Sequence, residues 1–201
     1  MPSAARQKFA ADETAWFNED RGILELKATK NELESFAYDL KNNVDNYGPY
    51  ERFVEPAARG ELIKRLQETV DWIYGEGQAA PAQAFRQRLD EFKKLGIPIK
   101  SRFLFHTEFP VFLEQFTNFA AEMSAKLADP SSTNLTDQIR SDILAKFTEV
   151  ESYFNVLKQM LASKQPHEDL GLSIDEVQIK LETFKQTVTA LFATPPPKAD
   201  K

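Results

Sequence analysis

Two histidines, seven glycines and no cysteine are the raw material this chain offers for catalysis, metal binding or phosphate binding. Without cysteine, thiolate nucleophiles and thiolate metal sites are excluded. A di-iron helical bundle needs Glu-x-x-His pairs on facing helices, yet the residues three before His106 and His167 are Phe103 and Lys164. Both histidines are read as solvated, His106 near Arg102 and Glu108, and His167 beside Glu168 and Asp169. Gly75 and Gly77 form the one close glycine pair, and neither GxGxxG nor GxxxxGK[ST] occurs, so the pair is read as a helix stop and loop. A GxSxG elbow is missing as well. Neighbouring carboxylates such as Glu149 and Glu151, or Asp90 and Glu91, read as solvated helix faces rather than a glycosidase pair. No catalytic, metal-binding or cofactor-binding residue is assigned, and the chain is not expected to be an enzyme.

The elements that hold these residues are legible from apolar spacing. Leu33, Phe36, Ala37, Leu40 and Val44 repeat at three and four and share one helix face, which Leu26 and Thr29 extend upstream. Only Gly22 interrupts good helix formers between Asp12 and Asn46, a rod of roughly 50 Å. Tyr47-Gly48-Pro49 should stop it, with Gly48 as the cap. A second helix is predicted from Ala57 to Tyr74 with Leu62, Leu66, Val70 and Ile73 inward, and a third from Pro81 through Phe85, Leu89 and Phe92 to Gly96. Both are expected to pack antiparallel on the first as a three-helix unit.

Ile99 and Phe103 keep the spacing set by Phe92, so a kinked continuation past Pro98 to His106 is predicted, the alternative being a helix that ends and restarts. A break is expected at Phe109-Pro110, then a fourth stripe of Phe112, Phe116, Phe119, Met123 and Leu127. Farther on, Ile139, Ile143, Phe147, Val150, Phe154, Leu157 and Leu161 form a fifth. Ser173 and Glu176 read as a capping box for a last helix carrying Ile174, Val177, Leu181, Phe184, Val188 and Leu191. No segment alternates as a half-buried strand does. The expected fold is all-α, six or seven helices, with a long N-terminal helix in a three-helix bundle followed by further antiparallel helices. The expected division is 1–11 disordered or vector-derived, 12–127 a helical bundle, 128–134 a linker, 135–194 a C-terminal helical pair and 195–201 a disordered tail.

Composition narrows the partners. Twenty-five basic against 31 acidic side chains give a net charge of −6, which disfavours the clustered cations of nucleic-acid binding. No apolar run is long enough to span a bilayer, and Met1 to Ala10 has no signal core. Cytoplasmic location is the expectation. The 16 Phe fall mostly on the inward stripes and read as core rather than as a client-binding or base-stacking surface. One set points elsewhere: Asn31, Glu34, Tyr38, Asn42 and Asp45 share the first helix's face opposite Leu33 and Leu40, with Phe17 and Leu24 on the same side. An aromatic among amides and carboxylates on an outward face has the composition of a protein contact surface. The bland alternative is an ordinary exposed helix face with one semi-buried Tyr.

Three separated motifs carry a family resemblance. Ala28-Thr-Lys-Asn-Glu-Leu-Glu-Ser-Phe-Ala-Tyr-Asp-Leu-Lys41 resembles the helical lid of the seventy-kilodalton heat-shock chaperones. Glu68-Thr-Val-Asp-Trp-Ile-Tyr-Gly-Glu-Gly77 and Lys94-Leu-Gly-Ile-Pro-Ile-Lys-Ser-Arg-Phe103 are more similar to their large, hundred-and-ten-kilodalton cytosolic relatives. The resemblance covers Glu19 to Leu127; from Asn134 onward it rests on the helical pattern.

The resemblance implies a fragment of a protein whose ATP-binding and β-sandwich peptide-binding domains precede the lid. ATP would then be a cofactor of the absent domain and not of this chain. It further implies a stress-response chaperone that assists smaller heat-shock chaperones as a nucleotide exchange factor and holds unfolded clients. The partners implied are the nucleotide-binding domain of a smaller chaperone, the protein's own absent domains, which Phe17 and Leu24 would face, and the clients; no nucleic acid and no membrane. Asn31 and Glu34 match the lid motif's Asn and Glu and would contact that partner domain; Tyr38 and Asn42 complete the set. The competing expectation is a stand-alone helical scaffold without a chaperone role, for which the regular stripes after Asn134 speak.

Overall fold

The computed structural model describes residues 3–129 and 135–193, and the described residues form five α-helices with no strand. These are α1 (Ser3–Val44), α2 (Pro56–Tyr74), α3 (Ala82–Ala128), α4 (Asp137–Ser163) and α5 (Ile174–Ala193), with 3-10 turns at Glu51–Phe53 and Glu76–Ala79. The all-α expectation holds. By contacts the chain divides into two compact units, residues 1–99 and 100–201.

In the first unit the stripe read from sequence turns inward: Leu33, Ala37, Leu40 and Val44 of α1 are buried, as are Leu62, Leu66, Val70 and Ile73 of α2. Two threonines join these stripes at low cost because each hydroxyl donates to the carbonyl four residues earlier, Thr29 to Glu25 at 2.8 Å and Thr69 to Arg65 at 2.9 Å. Pro56 opens α2 where its missing N–H is not needed. Residues 3–11, expected as a disordered lead, instead continue α1.

Helix direction corrects one expectation. Lys41 Nζ donates to Gln67 at 2.6 Å and the Tyr74 hydroxyl donates to Glu34, so α2 descends as α1 ascends. On α3, Arg86 pairs with Glu25 and Lys93 with Glu32, seven residues apart on both helices, so α3 runs parallel to α1. Two successive short connections reverse the chain twice, which makes only α2 antiparallel to α1.

Three glycines act through close approach. A Cβ at Gly96 would sit 2.9 Å from Leu40 Cδ2 and from Phe36 Cζ. Gly96 is thus a point of close approach of α3 to α1. After α1 the left-handed residue is Tyr47 (φ 67°) rather than Gly48. Gly48 is required because a Cβ there would fall 2.3 Å from the Asn43 carbonyl oxygen. Gly77 is buried, and a Cβ would meet the Trp72 indole at 2.7 Å, which gives the Gly75/Gly77 pair a packing role.

The largest departure is α3. It passes through Pro98, as the predicted continuation requires, and also through Pro110, where the sequence predicted a break. Each proline removes one backbone donor from the helix, and both rings are exposed. Against that local cost stands the burial of Ile99, Phe105, Phe109 and Phe116 along the same helix.

The second unit takes its core from three helices: Phe105, Phe109, Phe116 and Met123 of α3, Ile143, Val150, Phe154 and Leu157 of α4, and Val177, Leu181, Phe184 and Val188 of α5. Aromatic contacts bind them. Phe116 lies 5.0 Å from Phe154 and 5.5 Å from Phe184, and Phe109 lies 5.8 Å from Phe154 (ring centroids). The fourth stripe therefore packs with the C-terminal pair, so the division by packing falls inside α3 and not at 128–134. Residues 130–134 of that expected linker and the expected tail 195–201 lie outside the described residues. Among the described Phe side chains, Phe17 is the exposed one, and the others are buried or half-buried.

Local capping shapes this unit. Thr136, missed in the sequence, caps α4 by accepting from the Ile139 amide at 3.2 Å. At α5 the Glu176 carboxylate accepts from the Ser173 amide at 3.1 Å, and Ser173 Oγ accepts from the Asp175 amide at 3.2 Å, one residue earlier than expected.

Candidate functional site

The face of α1 opposite its core stripe is where the sequence places a contact surface. At 100° per residue Asn31, Tyr38, Asn42 and Asp45 fall together on one side, and all four are exposed, Tyr38 at 40%. Phe17 and Leu24 continue that side toward the N-terminus, each 67% exposed. Trp16 and Ile23 are exposed on the same stretch, which lies ahead of the Glu25–Arg86 pair joining α1 to α3.

Glu34 stands differently. It is half-buried, and its carboxylate accepts from the Tyr74 hydroxyl at the end of α2, with Lys30 Nζ 5.7 Å from the Tyr74 ring centroid. The carboxylate acceptor favours the protonated phenol and pushes Tyr74 above its ordinary value, burial adding to the effect. The structure therefore brings Asn31, Tyr38 and Asn42 to the surface together, and sets Glu34 at their edge within a Lys30–Tyr74–Glu34 cluster. Tyr74 belongs to this site although the face was read from α1 alone. Its only sequence signal was membership in the Glu68–Gly77 motif.

Such a surface can hold a partner by hydrogen bonds from amides and one aromatic plate. Catalysis would require an activated group, and the face contains none of the nucleophile–base arrangements that supply one. His106, on α3, and His167, in the segment before α5, are half-buried and far apart in sequence. Among the described residues no three or more His, Cys, Asp or Glu side chains gather as a metal site, and no helix is long and apolar enough to cross a membrane.

Comparison with known proteins finds relatives among the heat-shock proteins. Over 189 residues the chain is 26% identical to Heat shock 70 kDa protein 4 of Homo sapiens, covering 90% of this chain and 22% of that protein. It is 25% identical over 199 residues to the Rattus norvegicus protein of the same name, covering 96% of this chain and 23% of that protein. With Heat shock 70 kDa protein 14 of Arabidopsis thaliana it shares 24% identity over 183 residues, 90% of this chain and 22% of that protein. The chain thus spans about a fifth of the length of these curated relatives. No family model and no solved structure matches it. The matches support the seventy-kilodalton heat-shock superfamily and a helical segment related to its chaperones. They also cover more of the chain than the Glu19–Leu127 stretch that holds the three motifs.

Proposed function

We propose that this chain is the helical C-terminal part of a large heat-shock chaperone of the hundred-and-ten-kilodalton cytosolic branch, and that it assists smaller heat-shock chaperones as a nucleotide exchange factor. The observation that carries the reading is the exposed set Asn31, Tyr38 and Asn42 opposite the α1 core, on a helix similar to the lid of these chaperones. In this reading α1 grips the nucleotide-binding domain of the smaller chaperone in its open form. Only preference for that form shifts the equilibrium and releases ADP. ATP belongs to a domain outside this chain, and the chain itself performs no reaction and carries no cofactor. The same protein holds unfolded clients and works in the cytoplasm.

The scaffold alternative loses its main support, because the α4 and α5 stripes are spent on their own core with α3. Affinity of α1 alone is modest, since avidity from a second linked contact is missing. Calorimetric titration of the chain into the nucleotide-binding domain of a seventy-kilodalton chaperone, alongside release of fluorescent ADP, tests the reading. Asn31→Tyr should abolish binding and Tyr38→Ala should weaken it by about 30-fold, the loss of one central aromatic anchor of ~2 kcal/mol. Val156→Ala, exposed on α4, should leave it unchanged. Binding that ignores both α1 substitutions refutes the role of this face.

A further inference from the structure

Ahead of the Glu25–Arg86 pair, α1 is wet on all sides: every residue from Trp16 to Glu25 is exposed, and Thr29 is the first of its described residues to be buried. A bare helical stretch is marginal in water unless a packed face supports it. Yet this one carries Trp16 at 69%, Phe17 and Leu24 at 67% and Ile23 at 46% exposure. At 100° per residue the four side chains fall within a stripe about 120° wide. They form an exposed apolar patch of roughly 450 Å², large enough to mark a contact site.

The order of residues along this stripe is two-fold symmetric about Asp20. Phe17 and Ile23 stand three residues to either side of it, Trp16 and Leu24 four, and Glu13 and Lys27 seven. Three, four and seven are the helical spacings that return to one face, and Glu13, Asp20 and Lys27 are all exposed. A second copy of the helix laid antiparallel on this face, with the two-fold axis through Asp20, sets each aromatic ring against an aliphatic side chain. It also sets each Glu13 carboxylate against a Lys27 ammonium. A parallel arrangement would instead bring Glu13 to Glu13 and Lys27 to Lys27.

We propose that this face is a self-association surface: two copies of the chain pair antiparallel through Trp16, Phe17, Ile23 and Leu24, with Glu13 and Lys27 closing each end. A two-fold contact needs a surface complementary to itself, which the palindromic order supplies. The two patches, with the stems of Glu13 and Lys27, bury about 1,000 Å² in all, the lower bound for a specific interface. The dimer is therefore a weak one. Asp20 meets its own twin on the axis, and that like-charge contact weakens the pair further.

Sedimentation velocity of the full 201-residue chain over a concentration series reads the equilibrium. Half-association at about 1–100 μM is expected. Phe17→Glu should weaken it by about 100-fold or more, because it removes an anchor and places a charge in the apolar layer. Glu13→Lys and Lys27→Glu should each weaken it about five- to tenfold, and the two together should restore it. Asp20→Asn should tighten it about two- to threefold. Val156→Glu, exposed on α4, should change nothing. Because the chain has no cysteine, single cysteines report direction. Asp20→Cys should cross-link two copies on mild oxidation, and Glu13→Cys should not, since its twin lies about 20 Å away in the antiparallel pair. Circular dichroism of each variant verifies that helicity is retained. A chain monomeric up to ~1 mM leaves the stripe to another occupant and overturns the proposal. So does association indifferent to Phe17→Glu, a double reversal that fails to restore it, or cross-linking of Glu13→Cys in place of Asp20→Cys.

Discussion

Replacing a glycine by alanine should have opposite signs at two positions of the first unit. At Gly77 the new methyl would lie 2.6 Å from the Trp72 carbonyl oxygen, 2.7 Å from indole Cδ2 and 2.8 Å from Cε2. The carbonyl is fixed at the end of α2, where it accepts from the Gly75 amide at 3.2 Å. The ring has little room to retreat, with Phe85 at 4.9 Å and the Arg88 guanidinium stacked on it. Overpacking of this kind costs about 1–3 kcal/mol. Against it, alanine restricts the unfolded chain, a gain of about 0.4–1 kcal/mol. Gly77 has no positive φ to add strain, so the net expectation for Gly77→Ala is a loss of ~1–2 kcal/mol.

Gly60, in α2, is exposed and an added Cβ meets nothing within 4 Å. There the only effect is helix propensity, so Gly60→Ala should gain about 0.8–1 kcal/mol. The assay is urea unfolding followed by tryptophan emission, which reports this unit because both Trp16 and Trp72 lie within residues 1–99. With a slope of about 1–3 kcal/mol/M the midpoints should move apart by roughly 1 M. Gly77→Ala as stable as the parent would refute the close-approach argument, and a destabilised Gly60→Ala would refute the propensity argument.

In the second unit Phe154 is 1% exposed and touches the rings of Phe109, Phe116 and Tyr153. Phe154→Ala should destabilise that unit by about 3–5 kcal/mol in urea unfolding followed by far-ultraviolet dichroism, and a cost under about 1 kcal/mol would contradict the core described. Hydrogen bonds from Lys146, at 2.8 Å, and from Lys180 hold the Glu149 carboxyl down at about 2. Because the folded value lies below the unfolded one, this contribution is complete above about pH 4.5 and is lost as pH falls toward 2. Carboxyl NMR titration should give a midpoint near 2 for Glu149 that rises in Lys180→Met; a midpoint unmoved by that change counts against the pairing.

How much of this could be read beforehand depends on the range of the interaction. The stripes Leu33–Val44, Leu62–Ile73 and Ile143–Leu157 were legible because a helical face repeats every three or four residues, within the span of a few turns. The outward placement of Asn31, Tyr38 and Asn42 followed from the same arithmetic, since one face determines its opposite. Glu34 did not follow, because its hydrogen-bond partner Tyr74 is forty residues away and reaches it only when α2 folds back.

Prolines 98 and 110 show the limit from the other direction. Locally each argues for a bend or a stop, and only the burial of Phe105, Phe109 and Phe116 against α4 and α5 gives the continuous α3 its compensation. The close approach of Gly96 to Leu40 and Phe36 of α1 likewise carried no signal in the spacing. The order of residues thus determined which segments are helical, which faces are oily and which acids and amides stay wet. Packing decided that α3 is one helix serving two cores, that it runs beside α1 in the same direction, and that Arg88 rests on Trp72. Those outcomes depend on atoms distant in sequence but close in space, and periodicity along the chain holds no information about such neighbours.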